Sequence, residues 1–439
     1  MNALARQRPK QHQAGLGNRG VASDEGARQG SRIAYLESIR GLAALQVLLL
    51  HFLAAFAPEF VFSLPAVAPI TGSIHLSPLY FLYDGYSAVY IFFALSGYVL
   101  TRSFERNLAR PFVQVLGRIV RLGLPAIAAV LVSAAVMLIF GKPNIAAGEL
   151  SGSAWFASQW NAQLSLASVI KDGTLNALFL GYRGLPGVAF LGSWQQPVEQ
   201  SLVAPLWTLS IEFYGSMTVL LLCCCARRSR VLWCAAMLLG AMFAIRSAYI
   251  CFFVGHFLAA FVCAERPAPA SRLLPAFSVA SGIFVCMLAE IWQPEWLRAL
   301  CTSPTYLLFP GQFAPMQQKA FGAILVLVGL IHLDAARSLL SKPGLVARSK
   351  LSFPLYLIHW PILFGPVAAL FLLLSGTIGV EAARLCAIVV GICLAFAASI
   401  FFLPLDRLAL DLSRALRRRL CGAPEQTPRL SPIGAMAAE

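Results

Sequence analysis

The sequence predicts an all-α polytopic membrane protein of about ten transmembrane helices, with both termini in the cytoplasm. Three observations lead there. Of 439 residues, 59% are apolar and only 12% charged, about half the charge a soluble domain carries. Several apolar runs reach 16 residues or more, enough to cross a hydrocarbon slab about 30 Å thick. Lys and Arg concentrate in alternate connections between those runs, as the positive-inside rule requires. A water-soluble enzyme or secreted domain of this composition would lack the polar surface to cover its core.

In chain order the candidate spans are Ile33–Ala57, Gly85–Leu100, Leu122–Phe140, Thr208–Cys225, Val231–Ile245, Ala248–Cys263, Leu274–Ile291, Ala320–Leu333, Leu351–Leu374 and Ala382–Leu405. With the N-terminus inside, the inner segments hold 26 of the 34 Lys and Arg and the outer loops seven. An even number of spans preserves that asymmetry and returns the C-terminus to the cytoplasm. Residues 1–32 read as a disordered basic tail, 33–405 as the transmembrane domain, and 406–439 as a second basic tail. The largest outer loop, 141–206, has helix-like spacing from Ser168 to Leu180. Its Trp155, Trp160 and Trp194 read either as interfacial anchors or as cover for a groove. Residues 292–318, with Leu307, Leu308 and Phe309, form a plain loop or a re-entrant piece.

The net charge of +15 fits topology and anionic lipid better than nucleic acid. Eleven cysteines form no zinc spacing and fall mostly inside apolar segments, so neither a metal site nor a disulfide framework is expected. His256 and His332 stand isolated and receive no role.

An ionisable group inside a span is expensive to place and is a functional candidate by default. The first span has three: Glu37, Arg40 and His51. At 100° per residue, Arg40 and His51 lie 20° from eclipse and Glu37 falls on the same stripe. Glu37 and Arg40 are positioned to neutralise each other at i,i+3. His51 is about 16 Å further along the axis, at mid-membrane or beyond, where an imidazole suits proton transfer. A second group is Trp207-Thr208-Leu209-Ser210-Ile211-Glu212-Phe213-Tyr214. Here Trp207, Ser210 and Tyr214 share a face, and Glu212 needs a partner: His51, a substrate hydroxyl, or a basic residue of another helix. In the ninth span His359 precedes Trp360-Pro361, with Tyr356 one turn before it on the same side; Pro361 leaves a backbone carbonyl free. Phe92-to-Leu100 contains Ser96-Gly97, which permits close helix approach. Arg102, Arg106, Arg110, Arg118 and Arg121 follow; Arg102 and Arg106 suit either topology or phosphate binding, and the other three read as topology.

Together these segments resemble the acyltransferase-3 family of integral membrane acyltransferases. The opening Leu36-Glu37-Ser38-Ile39-Arg40-Gly41-Leu42-Ala43-Ala44 is similar to that family's first motif, with ten residues between its Arg and His, as between Arg40 and His51. Phe92-to-Leu100, Trp207-to-Tyr214 and Leu355-to-Pro361 are similar to its later motifs, in family order. Three positions depart: Glu37 stands for the usual Asp, Thr208 for Ser, and Pro354 where Ser is common.

The resemblance implies transfer of an acyl group, usually acetyl from acetyl-CoA, to a hydroxyl of an extracytoplasmic glycan, glycolipid or small molecule. It implies a multi-pass protein of the bacterial inner membrane. Acetyl-CoA enters as a cosubstrate, with no permanently bound cofactor and no appended SGNH-type esterase domain. Carried onto this sequence, Arg40, with Arg102 and Arg106, holds the donor's phosphates and His51 acts as general base. Glu37 fixes Arg40, and Glu212 or His359 orients the acceptor or His51. Trp207, Ser210, Tyr214 and Tyr356 line the substrate site. Direct transfer and an acyl-enzyme both remain open. The competing class is a proton-coupled transporter or a lipid or glycan flippase using the same polar residues.

Overall fold

A computed structural model describes residues 17–62, 74, 77–105, 108, 110–185, 193–261, 272–302, 309 and 311–421. Among them the chain is helical throughout, with one isolated β-bridge between Arg183 and Pro197. The long or apolar helices are α1 (Gly17–Phe56), α2 (Gly85–Glu105) and α3 (Pro111–Phe140), then, past the outer loop, α7 (Trp207–Arg228), α8 (Arg230–Ala244), α9 (Ile250–Phe261) and α10 (Leu273–Leu288). After a short α11 (Glu295–Thr302) come α12 (Ala314–His332), α13 (Asp334–Leu340) and α14 (Pro343–Ser349). The next, α15 (Ser352–Ile362), passes through a π-helical turn into α16 (Ala368–Ile378), and α17 (Val380–Cys421) closes the bundle.

Every one of the ten expected segments falls on a helix. Among the described residues, seven helical stretches are long and apolar enough to cross a membrane; α8, α9 and α10 are apolar but shorter. The molecule is an all-α polytopic membrane protein. Apolar side chains such as Leu138, Leu238 and Phe401 are left exposed, as contact with lipid rather than water allows.

Helix ends depart from the hydropathy boundaries in an informative way. Helix α3 begins at Pro111 rather than Leu122, started by a proline whose missing N–H is harmless in the first turn. Arg118 and Arg121, read from sequence as loop residues, therefore lie inside a helix. Helix α12 likewise begins six residues before Ala320, and buries Gln317, Gln318 and Lys319. Helix α1 extends back to Gly17, into the stretch read as a disordered tail, and α17 runs on to Cys421, past the expected tail boundary at 406. Residues 1–16, 422–439 and Leu307–Leu308 lie outside the described residues.

Small residues set the closest crossings. A Cβ at Gly97 of α2 would sit 2.6 Å from the Phe252 carbonyl oxygen of α9, and Gly255 of α9 faces Ala94 of α2 in return. In the same way Gly282 of α10 meets the backbone of α12 at Gly322. Where lipid competes for apolar surface, such backbone proximity is what holds helices together.

The outer loop is built of α4 (Asn144–Ser151), α5 (Ala154–Ser158) and α6 (Leu166–Ile170), which continues as a π-helix to Leu180. The helical spacing expected from Ser168 to Leu180 is present. Two hydroxyls seat this loop on the bundle: Ser151 donates to the Ala55 carbonyl at 2.7 Å and Ser153 to that of Ala54 at 2.6 Å. These are last-turn carbonyls of α1 that have no partner within their own helix. Asn144 donates to the Phe156 and Gln159 carbonyls, at 3.0 and 2.9 Å, and fixes α5 over the end of α1. Deeper in the loop, Asp172 accepts from Tyr182 at 2.6 Å, from Gln196 at 3.0 Å and from the Leu202 N–H at 2.8 Å. That buried carboxylate ties the π-helix to Tyr182, Gln196 and Leu202.

Candidate active site

His51 and His359 come together where α1, α15 and the outer loop meet. Nδ1 of His51 lies 2.8 Å from Nε2 of His359, and the rings are nearly parallel with centroids 5.0 Å apart. The other nitrogen of His359, Nδ1, is 2.9 Å from the Leu355 carbonyl oxygen one turn earlier on α15. A carbonyl only accepts, so His359 Nδ1 carries the proton and its Nε2 presents a lone pair. Among the described residues neither ring contacts a carboxylate, so a buried charge on the pair would be uncompensated and both rings are neutral. His51 then donates through Nδ1, which leaves its Nε2 as a free lone pair with no hydrogen-bond partner. His359 is fully buried whereas His51 keeps an accessible edge.

Aromatic rings frame the pair. Trp155 of α5 lies parallel to His51 at 5.7 Å between centroids, and Trp360 stands perpendicular to it at 5.3 Å. Trp360 in turn stacks on Phe364 at 4.3 Å. Of the three loop tryptophans, only Trp155 covers the polar site. Trp160 is buried and anchors the loop through Ser133 and the Leu202 carbonyl, and Trp194 is exposed. His51 is five residues from the end of α1, about 8 Å, on the side of the outer loop.

The other end of the apolar stretch of α1 (Ala34–Phe56) is cationic. Arg40 pairs with Glu37 at 3.3 Å, as the i,i+3 spacing requires. Arg118 of α3 pairs with Glu212 of α7 at 2.7 Å. Arg121 pairs with Asp406 of α17 and covers the Phe353 ring at 5.1 Å. Of the three partners open to Glu212 by its chemistry, it meets the basic residue of another helix, Arg118. The reason is geometric: α3 starts early enough to bring Arg118 alongside α7. Sequence reasoning missed Arg118 and Arg121; the signal was their i,i+3 spacing in a stretch of helical character that continues Leu122–Phe140. Arg102 is in the last turn of α2, and Arg106 lies outside the described residues.

The hydroxyls of Tyr356, Ser210 and Tyr214 have partners within the protein. Tyr356 donates its hydroxyl to the Pro205 carbonyl at 2.9 Å and meets Thr208 at 2.9 Å, so its ring is near His359 but its polar end is occupied. Ser210 bonds back to the Trp207 carbonyl, and Tyr214 reaches the Phe179 carbonyl at 3.1 Å. Tyr214 thus ties this face of α7 to the outer loop. His256 accepts from Trp233 at 2.9 Å and contacts Thr101 at 2.8 Å, a closed structural chain.

A family model described as an acyltransferase domain matches residues 33–403. The chain belongs to the acyltransferase-3 family. The match runs from α1 into α17 and includes both histidines and Arg40, Arg118 and Arg121. No curated protein and no solved structure matches the chain. As a member of the acyltransferase-3 family, the protein is a multi-pass membrane acyltransferase, and it requires an acyl donor, an acceptor and a bilayer.

Proposed function

We propose that this protein transfers an acetyl group from acetyl-CoA on the cytoplasmic side to a hydroxyl of an extracytoplasmic glycan or glycolipid, with His51 as general base. The observation that carries this reading is the hydrogen-bond chain from the Leu355 carbonyl through His359 to His51, which leaves one basic nitrogen unpaired on a ring that is only partly buried. A base presented that way accepts a hydroxyl proton through Nε2 while Nδ1 stays bonded to His359. Such assistance contributes about 10²–10⁴-fold.

The positive-inside asymmetry supports a cytoplasmic position for the Arg40 end of the bundle and both termini. Arg40, Arg118 and Arg121 at that end suit the phosphates of a coenzyme, since guanidinium matches phosphate in a bidentate fashion. Arg102 joins them from α2. The neutral acyl-bearing arm then spans the roughly 16 Å to His51. The acceptor enters from the side of the outer loop, under Trp155. Bringing both substrates into a site from which water is excluded supplies much of the remaining acceleration. The family resemblance favours a bacterial inner membrane.

The test is His51→Ala in purified protein that melts like the wild type, with thiol release from acetyl-CoA as readout. Acceptor-dependent turnover falls by about 10²–10⁴-fold; full turnover refutes the base assignment. Mass spectrometry of glycans from cells with and without the chain identifies the acceptor by its mass increment.

A further inference from the structure

Trp360 holds a polar hydrogen that the fold leaves unsatisfied. Its ring is only 2% exposed, yet Nε1 is buried and makes no hydrogen bond. Trp160 and Trp233, also buried, do find acceptors: Ser133 and the Leu202 carbonyl for the first, His256 for the second. A buried N–H without an acceptor carries its full desolvation penalty, which calls for a specific explanation. Packing does not leave the ring free to turn and escape it. Trp360 is stacked on Phe364, perpendicular to Trp155 at 5.9 Å, and perpendicular to His51 at 5.3 Å.

We propose that the Trp360 indole N–H receives the carbonyl oxygen of the acyl thioester and stabilises the oxyanion that forms there. This rests on the reading of His51 as base. The acceptor oxygen bonds to the thioester carbon as its proton passes to His51 Nε2, and the carbonyl π pair moves onto oxygen, which accepts from Trp360. Collapse breaks the C–S bond, and the leaving thiolate takes the proton back from His51. The products are the ester and free coenzyme thiol, with no further reactant. The indole is a direct neighbour of the base, with ring centroids 5.3 Å apart, so the proposed donor and base flank one place. A rigid donor in a site without water acts without reorganising, which is the condition for a large electrostatic effect.

The test removes the hydrogen and keeps the shape. Trp360→β-(3-benzothienyl)alanine, introduced site-specifically, replaces N–H by sulfur in an otherwise similar ring. With acetyl-CoA and thiol release as readout, kcat falls about 10²–10³-fold while the KM for acetyl-CoA and the melting temperature stay as in the wild type. An unchanged kcat overturns the proposal. Binding of trifluoroacetonyl-CoA, whose hydrated ketone resembles the tetrahedral species, gives a readout that needs no acceptor. Its affinity drops at least about tenfold in the variant if the N–H stabilises that oxygen; equal affinity overturns the proposal. His51→Ala separates the two ideas, because turnover retained there removes the base, whereas turnover lost there but retained in the sulfur variant removes only the role of Trp360.

Discussion

His51 and His359, 308 residues apart in the chain, meet at 2.8 Å through Nδ1 and Nε2. The Leu355 carbonyl sets the tautomer of the second ring, and the second ring sets that of the first. His359 is therefore a positioning residue in the proposed mechanism, and His51 the group that takes up and returns the proton.

Loss of His359 then acts through orientation. His359→Ala should lower kcat about 10–10²-fold, less than His51→Ala, with little change in the KM for acetyl-CoA. His359→Gln, which keeps an acceptor near His51 Nδ1, should recover part of the loss. Steady-state kinetics on the three variants checks the order.

A second polar knot sits near the start of α2 and α12. Lys319, 3% exposed, bonds to Asp84 at 2.9 Å and Glu290 at 2.5 Å and lies 4.8 Å from the Tyr80 ring centroid. Its removal would strand the fully buried Asp84 carboxylate. Lys319→Met should destabilise the protein by about 3–5 kcal/mol, and the additional change Asp84→Asn should return part of it. Thermal melting in detergent measures both.

The α2–α9 crossing has no room for a side chain at its glycines. Gly97→Val should cost about 1–3 kcal/mol through overpacking, and Gly255→Ala should have the same sign. Melting of the purified variants, with an exposed-surface substitution as reference, distinguishes this from a general effect.

The outer loop carries a pH dependence through Asp172. Burial pushes its carboxyl above the usual range, and hydrogen bonds from Tyr182, Asn176 and the Leu202 N–H oppose this without cancelling it. A carboxyl raised in the folded state stabilises the fold fully below its unfolded value, about 4, and loses that contribution as pH rises through the folded value. Loop stability should therefore decline upward from about pH 4, and Asp172→Asn should remove the slope. Limited proteolysis of residues 159–203 across that range reports it.

Much of this was legible in the chain. Apolar periodicity placed ten helices because a backbone in lipid must satisfy its own hydrogen bonds, which makes helix the necessary form of an apolar run. The stripe of Glu37, Arg40 and His51 followed from residue spacing within one helix, and the i,i+3 ion pair formed as its geometry required. His359 was recognisable beside Trp360 and Pro361. What the chain left open was the choice of partner across helices. Glu212 had three plausible partners by charge, and the early start of α3 gave it Arg118. Trp155 had two plausible positions, and the hydroxyls of Ser151 and Ser153 seated it over His51.

Sequence alone determined the helices, their polar stripes and the family, since each depends on local spacing or residue type. Only the tertiary structure decided which imidazole nitrogen is free and which indole hydrogen is unsatisfied. Both depend on contacts between segments hundreds of residues apart, whose angles and depths are fixed by packing rather than by periodicity.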